Sequence, residues 1–177
     1  MPPARSATTT ARTGSDLGFR CYDLHASPST ARTHLVRPPD YFVTTCTLGR
    51  QRVLADEAVH ALCREIWAEG ERLQHWLVGR YVIMPDHVHF FCAAQPEAKS
   101  ISVFVGKWKE WTAKYANRRL RLPALLWQPG FFDHVLRSEE SYEQKWEYVG
   151  DNPRRAGLVQ SAADWPFQGE LNDLRFA

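Results

Sequence analysis

The run Tyr81-Val-Ile-Met-Pro-Asp-His-Val-His-Phe-Phe-Cys92 carries two histidines, His87 and His89, two residues apart. Successive side chains of a strand alternate faces, so on a strand both imidazoles project to one side as a two-point grip for a single divalent metal. Val88, Phe90 and Phe91 give the run apolar cover and distinguish it from a solvated histidine tract. About sixty residues on lies Tyr148-Val-Gly-Asp-Asn152-Pro153. Tyr148 and Asn152 are four apart, so on a helix they share a face and aim a phenol and an amide oxygen jointly at whatever it covers. If that face covers the histidines, two imidazoles and one amide oxygen would hold a cation with positions open for water and substrate. Such mixed N/O ligation suits Mg²⁺ or Mn²⁺ in a nucleotidyl-transfer role, and zinc is also compatible. Tyr148 would stand beside the metal as nucleophile. A phenol with a pKa of about 10 is sluggish at neutral pH, and metal polarisation of a scissile phosphate with nearby positive charge is the usual remedy.

The elements that must position these groups follow from pattern. Tyr41–Thr47 is β-branched and aromatic and predicts a strand. Asp56 to Gln74 has apolar residues at helical spacing, with Asp56 and Glu57 suited to a helix N-terminus. Trp76–Met84 and His87–Ala93 predict a hairpin turning at Pro85-Asp86. Ile101–Leu120 predicts a second helix, and Phe131–Leu136 a fourth strand. Ser138 caps a third helix expected to run through Tyr148 and stop near Asn152, because Pro153 follows. Gly150 inside that helix weakens it by up to about 1 kcal/mol. The order βαββαβα predicts an α+β, ferredoxin-like antiparallel sheet with helices on one face.

Composition bounds the class. The 177 residues are one domain's worth, and 44% hydrophobic with 24% charged residues is a globular balance. No stretch is long and apolar enough for a membrane span, and the first twenty residues lack a signal-peptide apolar region. Cys21, Cys46, Cys63 and Cys92 show no paired zinc or redox spacing and read as reduced thiols of a cytoplasmic protein. Residues 1–33 read as a disordered, mildly basic tail with a weak transit-peptide flavour, and 34–177 as a single domain.

Met84-Pro-Asp-His-Val-His89 followed by Tyr148-Val-Gly-Asp-Asn-Pro-Arg-Arg-Ala-Gly-Leu-Val159 resembles the REP-associated tyrosine transposases, a bacterial branch of the single-tyrosine HUH (His-hydrophobic-His) endonucleases. The resemblance extends from about Tyr41 to Phe167 and includes Trp127-Gln-Pro-Gly-Phe-Phe-Asp133 and Asp164-Trp-Pro-Phe167. It implies that His87 and His89 are the metal pair, Tyr148 the nucleophile and Asn152 the third, amide-type ligand. It also implies cleavage of single-stranded hairpin DNA through a 5′-phosphotyrosine, with a freed 3′-hydroxyl able to rejoin strands. Relatives of this kind include both monomers and swapped dimers, so the oligomeric state stays open.

A DNA partner agrees with the charge distribution. From Ile101 to Arg137, seven bases stand against two acids, a local +5 that exceeds the whole-chain +2. Lys107, Lys109, Lys114, Arg118 and Arg119 are candidate phosphate contacts, with Trp108 and Trp111 either core or base-stacking; Arg154 and Arg155 could neutralise phosphates near the cut. Tyr115 and Tyr142 are alternative nucleophiles without an amide four residues on. His134 is open between a structural role and one near the metal. A binding protein that keeps the hairpin-recognition surface but no longer cuts is the competing reading. A plain metal hydrolase lacks a completing motif such as HExxH.

Overall fold

The computed structural model describes residues 39–174, so the predicted tail lies outside the described residues. The chain runs β1 (Asp40–Cys46), α1 (Glu57–Gln74), β2 (Trp76–Met84), β3 (His87–Ala94), α2 (Ile101–Leu120), β4 (Phe132–Leu136), α3 (Glu139–Gly150), a single turn α4 (Asn152–Arg155) and β5 (Gln168–Glu170). The strands form one antiparallel sheet in the order β4-β1-β3-β2-β5. Because β3 lies between β1 and β2, and β1 between β3 and β4, two split βαβ units interlock, which is the ferredoxin-like arrangement.

Each element has a local cause. The Asp56 carboxylate accepts from the amides of Ala58 and Val59 at 2.9 and 3.1 Å, satisfying two orphan donors at the start of α1. Asp56→Ala is expected to cost about 1 kcal/mol of folding stability, read by urea unfolding with an unchanged m-value. The two-residue turn Pro85-Asp86 pairs Met84 with His87 and thereby fixes the register of β3. Ser138 and Ser141 cap α3 reciprocally, with each hydroxyl oxygen accepting from the other's amide at 3.2 Å.

The expectation of helices on one face holds for α1 and α2. Their aromatic seam, with Trp67 stacked on Trp108 at 5.2 Å, buries Val88, Phe90 and Cys92 of β3. α3 lies on the opposite face, where Tyr142 packs its ring 4.4 Å from Phe91 and joins a second cluster with Phe42, Ala93 and Val149. The physical reason is in β3 itself: Phe90 and Phe91 are both wholly buried, so its two faces each need cover.

Two further differences concern the chain beyond β4. α3 ends at Gly150, two residues short of the expected stop, so Gly150 is terminal rather than internal. Proline at 153 cannot donate to Val149, and it instead opens the next turn, where a missing N–H costs nothing. β5 has no counterpart in the expected order; Gln-Gly-Glu offers no β-branched or aromatic signal. Its Gly169 lies against Tyr81, whose hydroxyl would sit 2.8 Å from any Cβ placed there.

Candidate active site

Cross-strand register builds the site. Phe42, Thr44 and Cys46 of β1 stand opposite Phe91, His89 and His87 of β3, so all six project to the face that carries α3. The two imidazoles meet edge to face with ring centroids 4.7 Å apart, and His89 stacks on Phe42 at 5.5 Å. His87 Nδ1 is 2.7 Å from Asp86 Oδ1, so that nitrogen carries the proton and Nε2 keeps its lone pair. His89 Nδ1 is 2.7 Å from Thr44 Oγ1, which fixes the orientation of the ring. Asp86 is itself held three times. Its Oδ2 pairs with Arg50 Nε at 2.9 Å, and its carbonyl accepts from the Thr47 amide at 2.9 Å and from the Thr47 hydroxyl at 3.1 Å. Such oriented outer partners are what metal-binding histidines require.

Burial disfavours the charged form of both rings. Burial lowers the His87 pKa against the opposing pull of Asp86. Burial, with smaller repulsion from His87, Arg50, Lys145 and Arg155, pushes His89 down to about 3 from its ordinary 6.5. The unfolded chain therefore binds a proton between about pH 6.5 and pH 3 that folded His89 refuses. Stability must fall as pH drops through that window. In chelator, the melting temperature of the wild type should fall more steeply between about pH 7 and pH 4.5 than that of His89→Gln; parallel curves would contradict the assignment.

Tyr148 is 58% exposed on α3, on the helix that covers the histidine face. The Arg155 guanidinium lies 4.1 Å over its ring and donates at 3.0 Å to its carbonyl. Arg155 also donates to Asn152 Oδ1, so one cation bridges the phenol ring and the amide. Asn152 opens the turn after α3 rather than continuing that helix, and Asp151 between them keeps helical angles of −82° and −4°. The other tyrosine candidates are placed differently. Tyr142 is 4% exposed, burial raises its pKa, and its hydroxyl oxygen accepts from the Arg80 amide. Tyr115 lies on α2 beneath Arg119, on the other side of the sheet. His134 is exposed on edge strand β4.

Of the seven predicted phosphate contacts, Arg155 is the one that touches a site residue. Arg154 forks onto Asp151 with two 2.7 Å bonds. Lys107, Lys114, Arg118 and Arg119 are exposed on α2, on the side of the sheet away from the histidines, with Lys107 paired to Glu110 and Arg119 to Glu65. The Lys109 ammonium donates to the carbonyls of Gln128 and Gly130 at 2.6 and 2.5 Å, tethering the loop before β4. Trp108 is likewise core, 1% exposed. Sequence reasoning missed Thr44, Asp86 and Arg50 as supports. Asp86 adjoins His87 in the turn and was legible in principle, whereas Thr44 needs the strand register.

A ferredoxin-like sheet with a His-hydrophobic-His pair on its central strand, and a lone exposed tyrosine on the helix covering that face, defines the single-tyrosine HUH class. The chain belongs to the IS200-like transposase family, whose description matches residues 38–152. It is 25% identical over 143 residues to the REP-associated tyrosine transposase of Escherichia coli (strain K12), covering 81% of this chain and 83% of that protein. Its fold matches a solved REP-associated tyrosine transposase bound to a REP hairpin, with a TM-score of 0.63 at 22% identity over 80% of this chain and 82% of that one. Among the described residues no helix is long and apolar enough to cross a membrane.

Proposed function

We propose that this protein is a metal-dependent single-stranded DNA endonuclease and strand transferase that acts on palindromic hairpin DNA through a 5′-phosphotyrosine at Tyr148. The observation that carries the reading is that α3, which bears an exposed phenol under a guanidinium, packs on the sheet face from which the two imidazoles project. The donor set fits a hard or borderline cation: two imidazoles are oriented by Asp86 and Thr44, and the amide oxygen of Asn152, which accepts from Arg155, would be the third donor. When bound, Mg²⁺ or Mn²⁺ supplies neutralisation of charge on the phosphoryl oxygens.

The chain's own residues do the rest. Arg155, over the ring, lowers the energy of the developing phenolate and of the phosphate it meets. Tyr148 Oη loses its proton to water and attacks phosphorus, the Oη–P bond forms, and the P–O3′ bond breaks. The departing 3′-oxygen takes a proton and leaves as a hydroxyl. The reverse attack by a 3′-hydroxyl restores a phosphodiester, so joining needs no external energy source. End-labelled hairpin DNA with Mn²⁺ tests this on a denaturing gel. A slow-migrating adduct, abolished by chelator, is the expected result. Hairpin binding without adduct would instead support a protein that recognises DNA and does not cut.

A further inference from the structure

Arg50, Arg80, Lys107, Arg119 and Arg154 each pair with a carboxylate within 3 Å. Among the described cations that make no ion pair, most are exposed and two are half-buried, Lys109 and Lys145. Lys109 is held by two backbone carbonyls, whereas the Lys145 Nζ stands 5.3 Å over the Phe42 ring. Phe42 is the residue stacked on His89. Lys145 lies three residues before Tyr148, one turn away on α3, so an ammonium, the histidine pair and the phenol are grouped on one face. Partly removing a cation from water without a counterion is unfavourable, and an anionic ligand arriving at that face repays the cost.

We propose that Lys145 binds a phosphodiester of the single strand beside the histidine pair, acting as a catalytic-site residue that holds the phosphate to be attacked. The DNA identity of the anion rests on the function proposed above. The phosphate lies where Lys145 approaches it from the Phe42 side and Arg155 from the Tyr148 side, so the backbone is held between two cations from α3 and α4. The cations of α2, on the opposite side of the sheet, cannot take this part.

The proposal is tested with the full chain carrying Tyr148→Phe, so that binding is read without cleavage. Fluorescence anisotropy follows a labelled hairpin oligonucleotide with single-stranded flanks across a NaCl series. Lys145→Met should reduce the slope of log Kobs against log[salt] by about 0.7, the loss of one single-strand phosphate contact, while Lys145→Arg keeps it. An unchanged slope in Lys145→Met overturns the proposal. Mn²⁺ affinity separates a merely structural role: if Lys145 only props Phe42 against His89, Lys145→Met weakens Mn²⁺ binding and leaves the slope alone, which also overturns it. With Tyr148 intact and DNA saturating, Lys145→Met should slow adduct formation about tenfold or more, with Lys145→Arg recovering most of it. Adduct formation at the wild-type rate would overturn the placement at the cut site. A reduced slope with no adduct even in wild type would uphold the Lys145 contact and defeat the tyrosine reading.

Discussion

Tyr148→Phe is expected to remove the covalent protein–DNA adduct and lower strand cleavage by about four orders of magnitude or more, while hairpin affinity stays within about threefold of wild type. The change deletes one oxygen. The ring remains, and with it the 4.1 Å stack beneath Arg155 and the Arg155 bond to the backbone carbonyl. At 58% exposure the side chain also contributes little to the core, so the melting temperature should hold. Neither alternative tyrosine can take over. Tyr142 is buried with its hydroxyl occupied by the Arg80 amide, and Tyr115 is on the other side of the sheet. Cleavage that survives Tyr148→Phe would mean that a water is the nucleophile.

The second large effect concerns the histidine pair. His89→Ala is expected to weaken Mn²⁺ binding about a hundredfold or more, measured by calorimetry or by the Mn²⁺ resonance signal, and to abolish adduct formation at ordinary metal concentrations. Asp86→Ala should act in the same direction through His87 and cost about 10–100-fold in metal affinity, because it removes the acceptor that fixes the ring's proton on Nδ1. Arg50, left without its 2.9 Å partner, then adds repulsion toward the incoming cation. Asp86→Ala with wild-type Mn²⁺ affinity would show that the turn carboxylate does not orient the site.

Much of this was legible in the sequence because it rests on period. The alternation in β3 placed both imidazoles on one face, and the α1 and α2 patterns found their extents nearly to the residue. What the sequence concealed depends on pairing between distant segments. Thr44 supports His89 through a strand register forty-five residues long in sequence. Phe91, buried as fully as Phe90, called for a helix on the second face, and its neighbours Tyr142 and Val149 show that α3 supplies it. Lys109 reads as one more base on a basic helix; only the loop folding back over α2 brings two carbonyls to its ammonium. The Tyr148–Asn152 spacing survives in altered form: Pro153 splits the helix, and Arg155 rather than a continuous hydrogen-bond ladder ties the two together.

Attachment of the DNA to Tyr148 is read by mass spectrometry of peptides from wild-type protein incubated with hairpin DNA and Mn²⁺, then digested with nuclease and protease. A nucleotide linked through its 5′-phosphate to the peptide containing Tyr148 is the predicted result. Cleaved DNA with that peptide unmodified, or with the nucleotide on another residue, would contradict the account.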